Sequence, residues 1–564
     1  MDAVKIHEEW LNNKNLDADT KKELLAIKQD EQEIKERFYK PLSFGTAGLR
    51  GKMGAGINRM NRYTVGKATQ GIADYMKKQG EDCMHKGVVI AYDSRHHSRE
   101  FAEYAAQILA GNNIKVYLFP SLRPTPELSF AIRKTGASAG INITASHNPK
   151  EYNGYKVYWE DGAQVAEHIA DGMTEEITQV DMFEDIKSIS LDNAAAKDLL
   201  EYLGEEMDEA YLKMVEGLAM AREEDLDKTV SIVYTPLNGA GSIPVQKILK
   251  RRGFANVSVV PEQEHPDGDF PTVGYPNPED TKAFKYAEKL GREKSADILI
   301  ATDPDSDRFA MEVRNKQGDY VPINGNQAGV LLINYILEGL LTKGSLPDNG
   351  AMVKSIVTGD WGKEIAKQHG VKMYESLTGF KNICGKIPVM EQEGYRYLFG
   401  YEESIGYAPS EAVRDKDGVS TSMLVCEAAA YYKKMGKSLL DVLEDIYRQY
   451  GYYKEAQTSL IYDGIEGAKR IERMMISYRE NPLMEYDGIK VAKEIDYING
   501  YEDIGPSNVL KFLLEDGSWF AVRPSGTEPK IKIYIYTRGK NAAEAEEKVE
   551  MLRKIVVGRL EMVE

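Results

Sequence analysis

Short runs of consecutive apolar, β-branched residues punctuate this chain, each ending in polar residues or glycine before a segment of helical spacing. The runs are "GVVIAYDSR", "VSIVYTPLNGAG", "ADILIATDPDSDR" and "AMVKSIVTGD". Uninterrupted apolar strands alternating with helices predict parallel sheets covered on both faces. In such folds ligands gather beyond the carboxyl ends of the strands, where the unusual residues of this chain lie. Ahead of the first run, residues 17 to about 40 are charged, periodic and helix-like, and the glycine-rich "SFGTAGLRGKMGAG" follows. Toward the C-terminus the pattern changes. "VLKFLLEDGSWFAV" predicts a hairpin with Asp-Gly at its turn, and "KIKIYIYTR" alternates like a half-buried strand with Ile531, Ile533 and Ile535 on one face. "GIEGAKRIERMMISYRENP" reads as helix, and "NAAEAEEKVEMLRKIVVGRLEMV" closes the chain as another. The fold class is therefore α/β, with a C-terminal α+β domain.

At 564 residues the chain exceeds one ordinary core, and three or four domains are expected. Hydrophobic residues at 42% and charged residues at 29% describe a soluble globular protein. A net charge of −17 argues against the broad basic surface of a nucleic-acid binder. It leaves room for an anionic small substrate held by a few placed Lys and Arg residues. Cys83, Cys384 and Cys426 are far apart and lack metal-ligand spacing, so a reducing compartment is expected rather than a disulfide framework. "MDAVKIHEEWLNNKN" lacks the apolar core of a secretory signal, and "AGVLLINYILEGLL" is too short and too polar to span a bilayer. The expectation is a cytoplasmic protein with no membrane, nucleic-acid or obligatory protein partner.

Candidate chemistry sits on loops. In "ITASHNP", Ser146 and His147 stand between an apolar approach and a proline. Taken alone the segment reads first as a turn, since Ser, Asn and Pro satisfy or pre-set turn geometry. The sharpest local signal is "ATDPDSDR", where Asp303, Asp305 and Asp307 alternate and Arg308 follows. Three carboxylates on a tight loop can converge on one small, hard cation such as Mg²⁺; without one, packing like charges together is unfavourable. In "RPSGTEPK", Arg523, Ser525, Gly526 and Thr527 combine a guanidinium, hydroxyls and exposed amides into a phosphate cradle, or form a plain loop between strands. In "GYEESIGY", Glu402 and Ser404 are spaced to face the same way in an extended segment and to bond vicinal hydroxyls. "LTGFKN" (Thr378, Gly379, Lys381) and "VRDKDG" (Lys416, Asp417) each pass for ordinary turns.

In their order, "TASHNP", "NGYK", "ATDPDSDR", "GYEESIG" and "RPSGTEPK" resemble the signature loops of the α-D-phosphohexomutases, the phosphoglucomutases and phosphomannomutases. The resemblance runs from about Phe44 to about Tyr536. The opening "FGTAGLRGKMGAG" is similar to the branch holding bacterial phosphoglucomutases and related phosphopentomutases. It implies a four-domain, heart-shaped architecture: three mixed-sheet α/β domains (1–205, 206–312 and 313–448) and a C-terminal α+β domain (449–564), each lending one loop to a central cleft. It implies that Ser146 carries a phosphoryl group and, through it, shares Mg²⁺ with Asp303, Asp305 and Asp307. Glu402 and Ser404, with Thr378 and Gly379 nearby, would contact sugar hydroxyls. Arg523, Ser525, Gly526, Thr527 and Lys532 would grip the non-reacting phosphate. Arg50, His147, Lys156, Arg308 and Lys416 match positions around the phosphoserine and the transferring group. One departure is Asn238 in "YTPLNGAG", where many relatives carry histidine.

The activity so implied is reversible interconversion of glucose 1-phosphate and glucose 6-phosphate, with glucose 1,6-bisphosphate as intermediate and activator. Phosphoryl transfer depends mostly on positioning and charge stabilisation, and water must be excluded if a phosphoserine is to survive; closure of the C-terminal domain on the ligand is therefore expected. Lys156 and His147 are the candidates for proton transfer, with Lys156 favoured and His147 orienting the serine. A pentose or mannose phosphate would suit the same mechanism. A serine hydrolase would leave the aspartate loop unaccounted for and would need "GxSxG", which Ser146 lacks. A non-catalytic sugar-phosphate binder would be expected had Ser146 or an aspartate been replaced.

Overall fold

The apolar runs lie in buried strands. The computed structural model describes residues 2–46, 48–462, 464–525 and 529–563. Strands β1 (Leu49–Lys52), β2 (Val88–Tyr92), β3 (Val116–Leu118), β4 (Ala139–Ile143), β5 (Tyr152–Trp159) and β6 (Leu200–Tyr202) form a sheet of order β1-β5-β4-β2-β3-β6. Strands β7 (Ile232–Thr235), β8 (Val257–Val259), β9 (Ile298–Thr302), β10 (Phe309–Arg314) and β11 (Tyr320–Ile323) form a second, of order β11-β10-β9-β7-β8. A third contains β12 (Gly350–Ser355), β13 (Lys372–Ser376), β14 (Arg396–Glu402) and β15 (Gly406–Ala408), in the order β13-β12-β14-β15.

Parallel pairing holds where helices intervene, at β2–β3, β2–β4, β7–β8, β7–β9 and β12–β13. It fails after "ITASHNP" and "ATDPDSDR". Here the chain returns directly as an antiparallel neighbour, β4 to β5 and β9 to β10. A helix was expected after the second of these segments. The loop is too short for a crossover, and only antiparallel strands can be joined so tightly. Both loops that carry candidate chemistry in these sheets are thus hairpin connections.

The fourth sheet is antiparallel throughout. It comprises β16 (Tyr452–Ile461), β17 (Glu485–Tyr486), β18 (Ile489–Asp496), β19 (Leu510–Leu514), β20 (Trp519–Pro524) and β21 (Lys530–Gly539), in the order β16-β21-β20-β19-β18-β17. The expected Asp-Gly hairpin joins β19 to β20, with Gly517 at φ 84°, where a side chain would be strained. Ile531, Ile533 and Ile535 enter one core together with residues of helices Gly464–Glu480 and Ala542–Glu561. The half-buried expectation for β21 is corrected, because Tyr534 and Tyr536 on its other face are buried too. That strand pairs on both sides, and Tyr536 stacks on Tyr453 and Trp519 at ring separations of 5.3 and 5.4 Å.

The charged N-terminal stretch forms two helices, Ala18–Ala26 and Glu31–Phe38, each N-capped by an aspartate side chain, Asp17 and Asp30. They pack Leu24, Ile34 and Phe38 with Trp10 of a preceding helix, Ala3–Leu11. Among the described residues, no helix is long and apolar enough to cross a membrane. The chain divides into two compact units: residues up to Ala328 with Tyr397–Gly400 and Ser404–Ser438, and Gly329–Arg396 with Tyr401–Glu403 and Leu439 onward.

Candidate active site

In the first unit, β4 is buried along its length and delivers Ser146 to the carboxyl end of the sheet. The segment turns because Thr144 Oγ1 accepts from Ser146 N at 2.8 Å and Ala145 O accepts from Asn148 N at 3.1 Å. Ser146 has φ 51°, a left-handed conformation that a serine adopts only when its surroundings impose it. The return strand must come very close. A Cβ on Gly154 would sit 2.4 Å from Thr144 O, so the glycine of "NGYK" is required.

Strand β9 places the acidic triplet beside this hydroxyl. Carboxylate oxygens of Asp303, Asp305 and Asp307 lie within 4.8 Å of one another, and all three residues are buried. Ser146 Oγ donates to Asp303 Oδ2 at 2.7 Å and lies 3.2 Å from His147 Nδ1. The aspartate loop is braced from "YTPLNGAG". Ala240 N donates to Pro304 O, and Gly241 lies so close that a Cβ would meet Ser306 Oγ at 2.5 Å. Asn238, the departure noted above, donates to His265 O at 2.8 Å.

Cations surround the triplet. Lys156 Nζ contacts Asp305 Oδ2 at 2.8 Å and Asp307 Oδ2 at 3.4 Å, and Lys416 Nζ lies 3.3 Å from Asp307 Oδ2. Arg308 donates its backbone N–H to Asp303 Oδ1 at 3.0 Å. Arg50, on β1, reaches the serine loop through Asn148 Oδ1 at 3.2 Å. Burial, with Asp305 and Asp307 adding, pushes the Asp303 carboxyl well above its ordinary range. Burial would raise Asp305 as well, but Lys156 overrides it and holds that carboxylate low. Burial favours neutral Lys156, yet the two aspartates keep its ammonium charged. Burial, reinforced by Arg308 and Arg50, drives the His147 pKa well below 6.5, leaving a neutral imidazole at pH 7.

The donor set fits a hard divalent cation. Three carboxylates converge, and Asp305 Oδ1 and Asp307 Oδ1 are buried without a hydrogen-bond partner among the described residues. Two lysines supply less compensation than three buried carboxylates and a phosphate would require, and oxygen-only donors suit Mg²⁺.

Other residues of this site escaped sequence reasoning. Thr125 donates from Oγ1 to Asp305 Oδ2 at 2.9 Å and from its backbone to Asp305 O at 2.9 Å. Asp415 accepts from Tyr158, Gln164 and Lys416. Asp93 and Arg95 lie beneath the Ser146 loop. Only the last pair left a signal, as the polar end of "GVVIAYDSR"; a threonine before a helix and an aspartate in a turn are commonplace in any chain.

In the second unit, Glu402 ends β14 and its carboxylate accepts from Gly379 N at 3.3 Å, which brings Thr378-Gly379 and Glu402 together. The neighbouring Glu403 accepts from Ser355 and Thr358 hydroxyls at 3.1 and 3.0 Å. Arg523 on β20 and Lys532 on β21 are directly opposed in register, so two cationic side chains stand at neighbouring places on the sheet. Ser525 N donates to Lys530 O as the strand ends. Gly526 and Thr527 lie outside the described residues. Ser404, assigned to the first unit, occupies the half-buried turn after β14. Lys381 lies in the first turn of helix Phe380–Gln392, and Asp417 caps helix Gly418–Lys434.

A buried hydroxyl against three carboxylates, at the carboxyl ends of layered α/β sheets, is an arrangement suited to phosphoryl transfer assisted by a divalent cation. Comparison with known proteins agrees. Models of the phosphoglucomutase/phosphomannomutase family match in order: α/β/α domain I over residues 41–183, domain II over 209–317, domain III over 324–450 and the C-terminal domain over 479–554. The chain belongs to this family. It is 40% identical over 521 residues to a phosphoglucomutase of Staphylococcus epidermidis, covering 90% of this chain and 92% of that protein. A phosphoglucomutase of Staphylococcus aureus is 36% identical over 539 residues, covering 93% and 94%. In fold it is similar to the open form of the Paramecium phosphoglucomutase parafusin (TM-score 0.69, 20% identity, 93% of this chain and 96% of that one). A family member from Burkholderia thailandensis gives a TM-score of 0.66 at 18% identity, covering 91% and 97%.

Proposed function

We propose that this enzyme is a phosphoglucomutase that interconverts glucose 1-phosphate and glucose 6-phosphate by way of a phosphoserine at Ser146 and a glucose 1,6-bisphosphate intermediate. The observation that carries the reading is the 2.7 Å contact between Ser146 Oγ and the buried carboxylate triplet. Full-length similarity to phosphoglucomutases supports glucose as the sugar.

A sugar hydroxyl attacks the phosphorus held on Ser146; the new P–O bond forms as the bond to Oγ breaks, the hydroxyl proton passes to the His147 imidazole, and the departing Oγ takes a proton from the Lys156 ammonium. The bisphosphate then turns over and returns its other phosphoryl group to Ser146. Asp303, Asp305 and Asp307 would hold Mg²⁺, which supplies neutralisation of phosphate charge and polarisation of the scissile bond. Lys156, as an ammonium, can give a proton to a departing alkoxide oxygen, and the neutral His147 imidazole can take one. Arg50, Arg308 and Lys416 add positive charge for the transferring group. Glu402, Ser404, Thr378 and Gly379 would bond the sugar hydroxyls, and Arg523, Ser525, Gly526, Thr527 and Lys532 the resident phosphate. Domain boundaries near residues 205, 312 and 448 accompany this assignment.

Peptide mass spectrometry after incubation with glucose 1,6-bisphosphate and Mg²⁺ tests the reading. Phosphate on the peptide containing Ser146 is expected, and its complete absence in a turning-over enzyme would sink it. A coupled assay with glucose, mannose and ribose 1-phosphates should rank glucose first.

A further inference from the structure

Arg95, immediately beyond β2, is buried with its partner Asp93, and neither side chain is exposed to solvent. One guanidinium serves a single stretch of backbone. Nη1 donates to Pro149 O at 2.9 Å and Tyr152 O at 3.1 Å, and Nη2 donates to Ser146 O and Asn148 O at 2.5 Å each. Nε faces Asp93 Oδ2 at 3.3 Å. Asp93 is itself fixed, since its Oδ1 accepts from Arg95 N at 2.9 Å and Ser98 Oγ at 2.8 Å. The guanidinium carbon lies 5.1 Å from the centre of the Phe270 ring. Phe270 is buried and holds a left-handed backbone, φ 45°, which is costly for a bulky residue. Four carbonyls, a carboxylate and an aromatic face thus enclose one cation.

Ser146 needs such support. Its left-handed backbone persists only if its surroundings over-determine it. Thr144 fixes the amide side of that residue, and Arg95 fixes the carbonyl side. Released from Arg95, the serine could relax to an ordinary φ and carry Oγ away from Asp303. Lysine cannot substitute: an ammonium has three donors and no planar fork, so it cannot span four carbonyls.

We propose that Arg95 is a positioning residue for phosphoryl transfer, holding residues 146–152 in the backbone shape that aims Ser146 Oγ at the aspartate triplet. The inference rests on Ser146 being the phosphoryl carrier. It separates Arg95 from residues that bind sugar: its loss should slow transfer without weakening substrate binding.

The full-length enzyme and its Arg95→Lys, Arg95→Met and Asp93→Asn variants are compared for kcat and KM with glucose 1-phosphate and Mg²⁺. Melting temperature and the rate at which glucose 1,6-bisphosphate phosphorylates the Ser146 peptide are measured in parallel. For Arg95→Lys, kcat and the phosphorylation rate should fall by about 100-fold, the scale of a 1 Å misplacement, while KM changes little and the protein stays folded. Asp93→Asn should lose about tenfold, because the guanidinium keeps its shape but loses its orienting partner. Should Arg95→Met fail to fold, the other two variants decide. Turnover of Arg95→Lys close to that of the unaltered enzyme would overturn the proposal. So would a rise in KM as large as the fall in kcat, or a loss of turnover that merely tracks the unfolded fraction. If the unaltered enzyme turns over with no phosphate on Ser146, the carrier assignment has failed, rather than the geometric role of Arg95.

Discussion

A serine hydroxyl is a weak nucleophile at neutral pH, so what distinguishes Ser146 is its placement: a left-handed backbone, a buried oxygen and a carboxylate at 2.7 Å. Ser146→Ala should abolish turnover while leaving sugar-phosphate binding measurable by calorimetry; full activity would refute the carrier role. The buried triplet predicts cation-linked stability. Millimolar Mg²⁺ should raise the melting temperature by binding the native state alone, a stabilisation of about 2.7 kcal/mol at a hundredfold excess over Kd. Asp305→Asn should remove most of that rise. Away from the site, burial and the nearby Glu288 push the Glu312 pKa up to about 7, and its Oε2 has no hydrogen-bond partner among the described residues. Its folded pKa exceeds the ordinary 4.5, so its contribution is present below pH 4.5 and is lost as pH rises through 7. Glu312→Gln should therefore be more stable than the unaltered chain at pH 8, by about 3 kcal/mol at most, with no such advantage at pH 4. Urea titrations at the two pH values check the sign.

At the scale of elements, the two reactive loops are hairpin connections between antiparallel strands, and their shape is set by what packs against them. Gly241 is one such close contact, for an added methyl would meet Ser306, Thr302 and Tyr234 oxygens within 2.7 Å. Gly241→Ala should displace the aspartate loop, costing about 1–3 kcal/mol of stability and lowering Mg²⁺ affinity in the same melting assay. Helix Gly418–Lys434 begins against the same loop, with Gly418 N donating to Ser306 O at 3.1 Å. The strands themselves were legible, because a short β-branched run with few polar positions buries both of its faces, as the inner strand of a covered sheet does. The direction of β5 and β10 was not, since strand pairing depends on how short the connection is and on which neighbour covers the edge.

At the scale of the whole molecule, the chain separates into one unit with the serine and aspartate loops and another with Glu402, Arg523 and Lys532. That division predicts separable kinetic phenotypes. Arg523→Ala should raise KM for glucose 1-phosphate roughly 30-fold, the equivalent of about 2 kcal/mol for charge-assisted phosphate bonds. Phosphorylation of Ser146 should remain chemically competent at saturating bisphosphate. An unchanged KM would remove Arg523 from the proposed phosphate cradle.

Sequence alone determined the identities of the candidate reactive groups, their order along the chain and the apolar strands that carry them, because each is encoded within a few neighbouring residues. "ATDPDSDR" places three carboxylates at alternate positions, able to converge on one cation. Tertiary structure alone decided which of these groups meet: that Ser146 faces Asp303 across 157 positions of chain, that Lys156 lies between two aspartates, and that Arg95 and Thr125 belong to the same site. Such contacts arise from sheet order, strand direction and burial, which are properties of the packed chain and leave almost no local mark.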